Sequence, residues 1–303
     1  GSTVIATFYN QNRIVVPLKK ISKTMQQAVV AREDRRFWTH AGVDVQGVMR
    51  AFVATYVKKG ATQGGSSLTQ QYVKNVLLLQ AQEDNDPIAE YHASEETVAR
   101  KLREMLIAVQ MEKTYSKLEI LQGYLNIAQF GRGIYGVEMA ARRYFSTTAD
   151  KLDIVQAATI AAITKNPAAF DPSVESNQKA SQRERNIVLD LMYQEEYISQ
   201  KQRDEAKAKP LKDTLKLQDA QAGCSASGDA AFFCDYVTKK ILNSKEFGKT
   251  IEERKKLLYE GGLDIYTTMD VNANSAAMKA ARAAIPADDA SKMEVMMAAI
   301  KPG

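Results

Sequence analysis

The segment "DKLDIVQAATIAAI", Asp150–Ile163, constrains the fold more than any other part of the chain. At helical spacing its apolar side chains cover almost the whole circumference, so it belongs inside a helical body, not on its surface. The spacing predicts a central helix that begins at Asp150 and stops before Pro167, since the residue before a proline is pushed out of helical backbone. With 303 residues, 45% hydrophobic and 25% charged, the chain can surround such a helix with one large domain or two smaller ones.

Further helix signals flank it. Asp44 is placed to cap "VQGVMRAFVATYVKK", which Gly60 ends. Ser94 is expected to cap another helix, with Glu95 and Glu96 in its first turn and Val98, Leu102, Met105, Leu106 and Val109 as its apolar stripe. "SKLE" at Ser116 and "SQKQ" at Ser199 open two more, and a polar-faced helix is predicted over Ser176–Tyr193. Glycine-punctuated loops, Gly60–Ser67 and Phe130–Gly136, lie between these segments, where ligand contacts tend to collect.

After about Leu211 the texture changes. Residues 211–303 read as a separate α+β module beside a helical domain over 1–210, with Leu263–Met269 as a strand and "EVMMAAIKPG" as a second strand-like run. Cys224 and Cys234 sit close together in a small-residue loop; a local disulfide is the preferred reading, with free thiols as the alternative. Two cysteines and two histidines do not make a zinc set.

A net charge of +5 favours anionic partners such as lipid headgroups or phosphates. No nucleic-acid motif or dense basic tract occurs, so nucleic acid is not expected as a partner. No apolar run is long enough to cross a bilayer. Gly1–Ser2 reads as a cloning remnant, and an N-terminal membrane anchor is expected outside this chain.

Four clusters concentrate chemistry: "AREDRRFWTHAGVD" with Glu33, Asp34 and His40; "GGSSLTQQYVKN" at Gly64–Asn75; "RKLRE" at Arg100–Glu104; and "FGRGIYGVEMAARRYF" at Phe130–Phe145. In the second, the glycines let backbone N–H groups approach a ligand, and the polar residues that follow can grip hydroxyls or phosphate oxygens. It is not a Walker loop, because no lysine follows the second glycine at the required place. Arg100 and Glu104 stand one helical turn apart, which on its own describes a solvated ion pair.

In this order, together with "RERNIVLDLM", these stretches resemble the successive motifs of the peptidoglycan glycosyltransferases, glycosyltransferase family 51, the polymerase domain of class A penicillin-binding proteins. The resemblance runs from about Phe8 to Met192, and "GGLDIYTTMD" is similar to the linker leading to a transpeptidase domain, near whose start the chain would stop. One departure is Ser67, where the family commonly has threonine.

The resemblance implies a mostly helical, lysozyme-like fold with a smaller membrane-facing jaw. It implies growth of glycan strands from lipid II by inverting transfer, with undecaprenyl pyrophosphate leaving, at the extracytoplasmic face of the plasma membrane beside other cell-wall synthesis and division proteins. Moenomycin inhibition follows from the same resemblance. Glu33 falls at the position of the base, since a sugar hydroxyl needs its proton removed as the bond forms. Arg50, Lys74, Arg100 and Lys101 fall where cations would stabilise the departing pyrophosphate. Glu104 matches the second motif glutamate, acting on the donor directly or through a divalent cation, Mg2+ or else Mn2+. Asp34, Ser66, Gln70, Gln71 and Asn75 complete the substrate-binding set, Phe37 and Trp38 are expected as packing anchors, and His40 is expected to hold its turn.

The apolar residues after Asp44, followed by Lys58 and Lys59, read either as a core face or as a surface dipping into the outer leaflet. "SNQK" at Ser176–Lys179 satisfies the S-x-x-K pattern of penicillin-reactive serines, but no K-T-G or S-D-N partner accompanies it, so no penicillin acylation is expected. The rival enzyme class is a lysozyme-like muramidase or lytic transglycosylase, which also relies on carboxyl groups; the cationic second cluster speaks against it. A non-catalytic scaffold has no need of Glu33 and Glu104.

Overall fold

The structure, a computed structural model, describes residues 3–8, 13–52, 65–218, 223–224 and 227–286. Chain contacts divide it into two units, Gln11–Gln218 and Gly1–Asn10 with Asp219–Gly303. The first unit holds α1 (Lys23–Glu33), α2 (Val45–Phe52), α3 (Leu68–Glu83), α4 (Pro87–Ser94), α5 (Val98–Thr114), α6 (Lys117–Ile127), α7 (Val137–Phe145), α8 (Ile154–Ile163), α9 (Gln178–Gln194), α10 (Gln200–Ala208) and the short α11 (Leu211–Thr214). The second holds α12 (Ala231–Asn243), α13 (Ile251–Glu260) and α14 (Val271–Ala284).

The apolar segment is the centre of the first unit, as its composition requires. Val155 and every residue from Ala157 to Ile163 are buried, and α8 packs against α1, α7 and α9. Its four alanines let the neighbouring helices approach closely, and α1 answers with Met25, Ala28, Val29, Val30 and Ala31, all buried. The helix begins at Ile154, not Asp150: Asp153 and Gln156 form the capping box, while Ala149–Lys151 is a separate 3-10 turn. The boxes expected at Ser116 and Ser199 form with Glu119 and Gln202. Ser94 does not start a helix; it ends α4, and Thr97 caps α5 through the Arg100 N–H.

In the second unit Cys224 and Cys234 are joined as a disulfide. Leu263–Met269 is not a strand: no ladder partner for it exists among the described residues, and an alternating pattern cannot pair with itself. Among the described residues the sole β feature is the bridge between Gln129 and Tyr135. The run "EVMMAAIKPG", Lys58, Lys59 and Gly60 lie outside the described residues. No described helix is long and apolar enough to cross a membrane.

Candidate active site

Glu33 is the last residue of α1, because Asp34 leaves helical backbone at φ −160° and ψ 81°. The buried helix therefore delivers a half-buried carboxylate at its end. Both oxygens are held by donors from other helices: Gln71 Nε2 of α3 donates to Oε2 at 2.7 Å, and Thr164 Oγ1, just past α8, donates to Oε1 at 2.5 Å. Gln71 is oriented in turn by the Tyr124 hydroxyl of α6, which donates to its Oε1 at 3.3 Å. Complete burial, and then the nearby Glu33 charge, push Tyr124 well above the ordinary tyrosine range, so it stays protonated and can act as a donor.

Asp34 turns away from this carboxylate into the frame. Its Oδ2 accepts the Leu68 N–H at 2.9 Å, in the first turn of α3, and lies 2.8 Å from His40 Nε2. An acidic group at a helix N-terminus is favourable there. Ser67 caps α3, and Gln70, fully buried, completes the box by accepting the Ser67 N–H at 2.8 Å. Ser67 Oγ donates to the Gly42 carbonyl at 2.5 Å. Gly42 has φ +85°, and a Cβ there would lie 2.7 Å from the Ala108 backbone, so only glycine lets this loop rest on α5. Asp34 thus joins α1 to α3, Ser67 joins α3 to the Gly42 loop that rests on α5, and neither Asp34 nor Gln70 offers an exposed side chain.

α5 is inside out. Its buried face is Arg100, Glu104 and Ala108, while Val98, Leu102 and Leu106 are 77%, 55% and 74% exposed. The apolar stripe of the sequence is real but faces outward. Glu104, 2% exposed, is held at Oε1 by the Arg100 guanidinium and at Oε2 by Lys101 Nζ, 3.2 Å away. Lys101 also donates to Ser66 Oγ at 2.7 Å, and Arg100 Nε donates to the Glu95 carbonyl. Lys74 of α3 belongs to the same group: burial first, then the charge of Arg100, hold its ammonium below the usual lysine range. Gln71 and Lys74 stand one turn apart on α3, so the residue that holds the Glu33 carboxylate and one member of the cationic group are neighbours on one helix. Asn75 is half-buried next to Lys74 in the chain. Arg50 belongs to α2, and its side chain lies outside the described residues.

A divalent cation does not fit Glu104 in this arrangement. Both of its oxygens face cationic side chains, and no group of three or more His, Cys, Asp or Glu side chains able to hold a metal occurs among the described residues.

The remaining motif residues build the scaffold. Phe37 is fully buried beneath Lys117 Nζ, 4.6 Å from its ring centroid, whereas Trp38 is 41% exposed. Lys117 also pairs with Glu112, which accepts from Thr69 Oγ1 at 2.5 Å. The Phe130–Gly136 loop closes on itself through the Phe130 N–H to the Ile134 carbonyl, 2.9 Å, and the Tyr144 hydroxyl binds the Phe130 carbonyl at 2.8 Å. Arg185 is fully buried and donates to the carbonyls of Lys207 and Lys209, where α10 ends. Thr164 and Tyr124 were not legible as site residues. Tyr124 is one apolar-faced residue of α6, and Thr164 is one polar residue after an apolar helix, so neither carries a motif signal.

The transglycosylase family profile matches residues 1–193. Penicillin-binding protein 1A of Aquifex aeolicus is 36% identical over 89% of this chain and 32% of its own length. Penicillin-binding protein 2D of Bacillus subtilis is 34% identical over 89% of this chain and 35% of its own. A crystal structure of penicillin-binding protein 1A from Haemophilus influenzae is 20% identical, with a TM-score of 0.45, and covers 91% of this chain and 26% of that one. The chain belongs to the transglycosylase family, glycosyltransferase family 51, and is on that ground a peptidoglycan glycosyltransferase. It spans about a third of the length of the curated relatives it matches.

Proposed function

We propose that the chain polymerises lipid II into glycan strands by inverting transfer, with undecaprenyl pyrophosphate as leaving group. The observation that carries this reading is the placement of Glu33, held on both oxygens and bound by Gln71, which stands one turn of α3 before Lys74 of the group that also holds Arg100, Lys101 and Glu104. A sugar 4-hydroxyl is a poor nucleophile, and Glu33 takes its proton as its oxygen bonds to the anomeric carbon. Inversion puts the departing pyrophosphate on the opposite face. That group is already a stable anion and needs positive field more than a proton. Lys74 and the half-exposed Lys101 supply it, while Glu104 and Arg100, buried as a pair, position Lys101 and Ser66. A strand-cutting hydrolase would have no pyrophosphate to hold and no use for this cluster.

The inside-out face of α5 supports a lipid surface as partner. Val98, Leu102 and Leu106 on α5, and Val45 and Met49 on α2, are exposed apolar side chains on helices that also carry site residues. Lining a lipid-anchored substrate's route with such side chains suits an enzyme working at the outer leaflet of the plasma membrane, beside other cell-wall synthesis proteins.

Fluorescent lipid II in detergent and isolated peptidoglycan sacculi separate the two enzyme classes. Polymer ladders from lipid II with intact sacculi are expected. Solubilised sacculi with no polymer would sink the proposal.

A further inference from the structure

Glu33 has a polar neighbour that lies outside every motif. The hydroxyl of Thr164, at the end of α8, faces two acceptors: Glu33 Oε1 at 2.5 Å and the Ala161 carbonyl at 2.8 Å. It has one hydrogen and cannot donate to both at once. The other carboxylate oxygen, Oε2, meets the Gln71 amide N–H at 2.7 Å, and the Tyr124 hydroxyl on Gln71 Oε1 fixes which end of that amide points at Glu33. An amide nitrogen only donates, whereas a hydroxyl both donates and accepts. The two partners of Glu33 are therefore not equivalent: Gln71 can face only an unprotonated oxygen, which leaves a proton to Oε1, where Thr164 suits both protonation states.

We propose that Thr164 is a positioning residue for the proton transfer, a hydroxyl switch that follows the charge on Glu33; this rests on the reading of Glu33 as the base. While Glu33 is ionised, the Thr164 O–H donates to Oε1 and steadies the charge. During transfer the acceptor hydroxyl gives its proton to Glu33 and its oxygen bonds to the anomeric carbon. The pyrophosphate oxygen leaves with the electron pair of the old bond. Thr164 then turns its hydrogen to the Ala161 carbonyl and accepts the carboxyl proton at Oε1. The Ala161 carbonyl lies in the last turn of α8, where carbonyls lack a full set of helical partners and can receive the turned hydroxyl. Neither state leaves a half-buried polar atom unmatched, which would cost free energy if it occurred.

The test uses the whole chain with 13C-methyl threonine, titrated by NMR as wild type and as Glu33→Gln, with Thr164→Val to assign the signal. The Thr164 methyl is expected to move in a single step as Glu33 gains its proton in the wild type and to stay still in Glu33→Gln. Thr159, on the same helix but bonded only to the Val155 carbonyl at 2.7 Å, is the control that stays still in both.

Lipid II polymerisation supplies the second readout. Thr164→Val is expected to move the acid limb of kcat/KM to higher pH by roughly half to one unit, the size of one hydrogen bond, with KM little changed. Thr164→Ser is expected to restore the wild-type profile. A motionless Thr164 methyl in the wild type, or an unchanged pH profile in Thr164→Val, overturns the switch. A wild type that makes no polymer while the methyl still follows Glu33 overturns the glycosyl-transfer reading and leaves the switch supported.

Discussion

Gln71 ties Glu33 to α3: its amide N–H meets the carboxylate Oε2 at 2.7 Å while its carbonyl oxygen receives the Tyr124 hydroxyl. The carboxylate at the end of α1 is thereby aimed by a helix that also carries Lys74.

Removing that donor by Gln71→Leu leaves one oxygen of Glu33 unsupported. The expected result is a loss in kcat of about tenfold or more with a smaller change in KM, the size of a lost hydrogen bond to a charged group. Steady-state polymerisation kinetics check it. A change confined to KM would place Gln71 in ground-state binding instead.

Lys74 loses its proton at lower pH than an exposed lysine, first through burial and then through Arg100. Its charge is present below that point and lost as pH rises through it. If the charge holds the pyrophosphate, kcat/KM falls on the alkaline side below the ordinary lysine range. Lys74→Arg keeps the charge and is expected to extend activity to higher pH, while Lys74→Met abolishes most of it. Identical alkaline limbs for wild type and Lys74→Arg would contradict this.

The two faces of α5 predict opposite responses. Arg100→Met leaves the buried Glu104 charge with Lys101 as its one remaining cationic partner and is expected to cost about 3 kcal/mol in chemical denaturation. Leu102→Ser and Leu106→Ser remove exposed side chains, so stability stays within about 0.5 kcal/mol. The same pair of changes is expected to weaken binding to anionic vesicles. Unfolding by the serine substitutions would show the stripe to be core after all.

Arg185 closes the end of α10 from inside the first unit. Arg185→Met leaves two carbonyls and the space of a guanidinium without a partner, for an expected loss of about 3 kcal/mol in stability. Activity per folded molecule should be unchanged, because Arg185 touches none of the residues around Glu33.

Local signals were the legible ones. The capping boxes at Ser116 and Ser199 form where the sequence places them, because a box is a contact between residues three apart. The centrality of α8 followed from its composition, although its start was misplaced: two aspartates compete there and only Asp153 has Gln156 three residues on. α5 shows the limit of periodicity, which locates a stripe but not the side it faces. Burying Arg100 and Glu104 depends on Lys101, Ser66 and Lys74, brought together from two helices. Leu263–Met269 failed for a related reason, since a strand is a property of a pair. Asp34 and Gln70 look like ligand residues in the sequence, yet each satisfies backbone N–H groups of the α3 terminus.

The central claim is that Glu33 removes the acceptor proton. Wild type and Glu33→Gln, both shown to be folded, are compared for the rate of lipid II polymerisation under single-turnover conditions. The amide keeps the size and the Thr164 contact but cannot take a proton, so a loss of at least about a hundredfold is expected. A Glu33→Gln enzyme that polymerises within a few-fold of wild type would contradict the account.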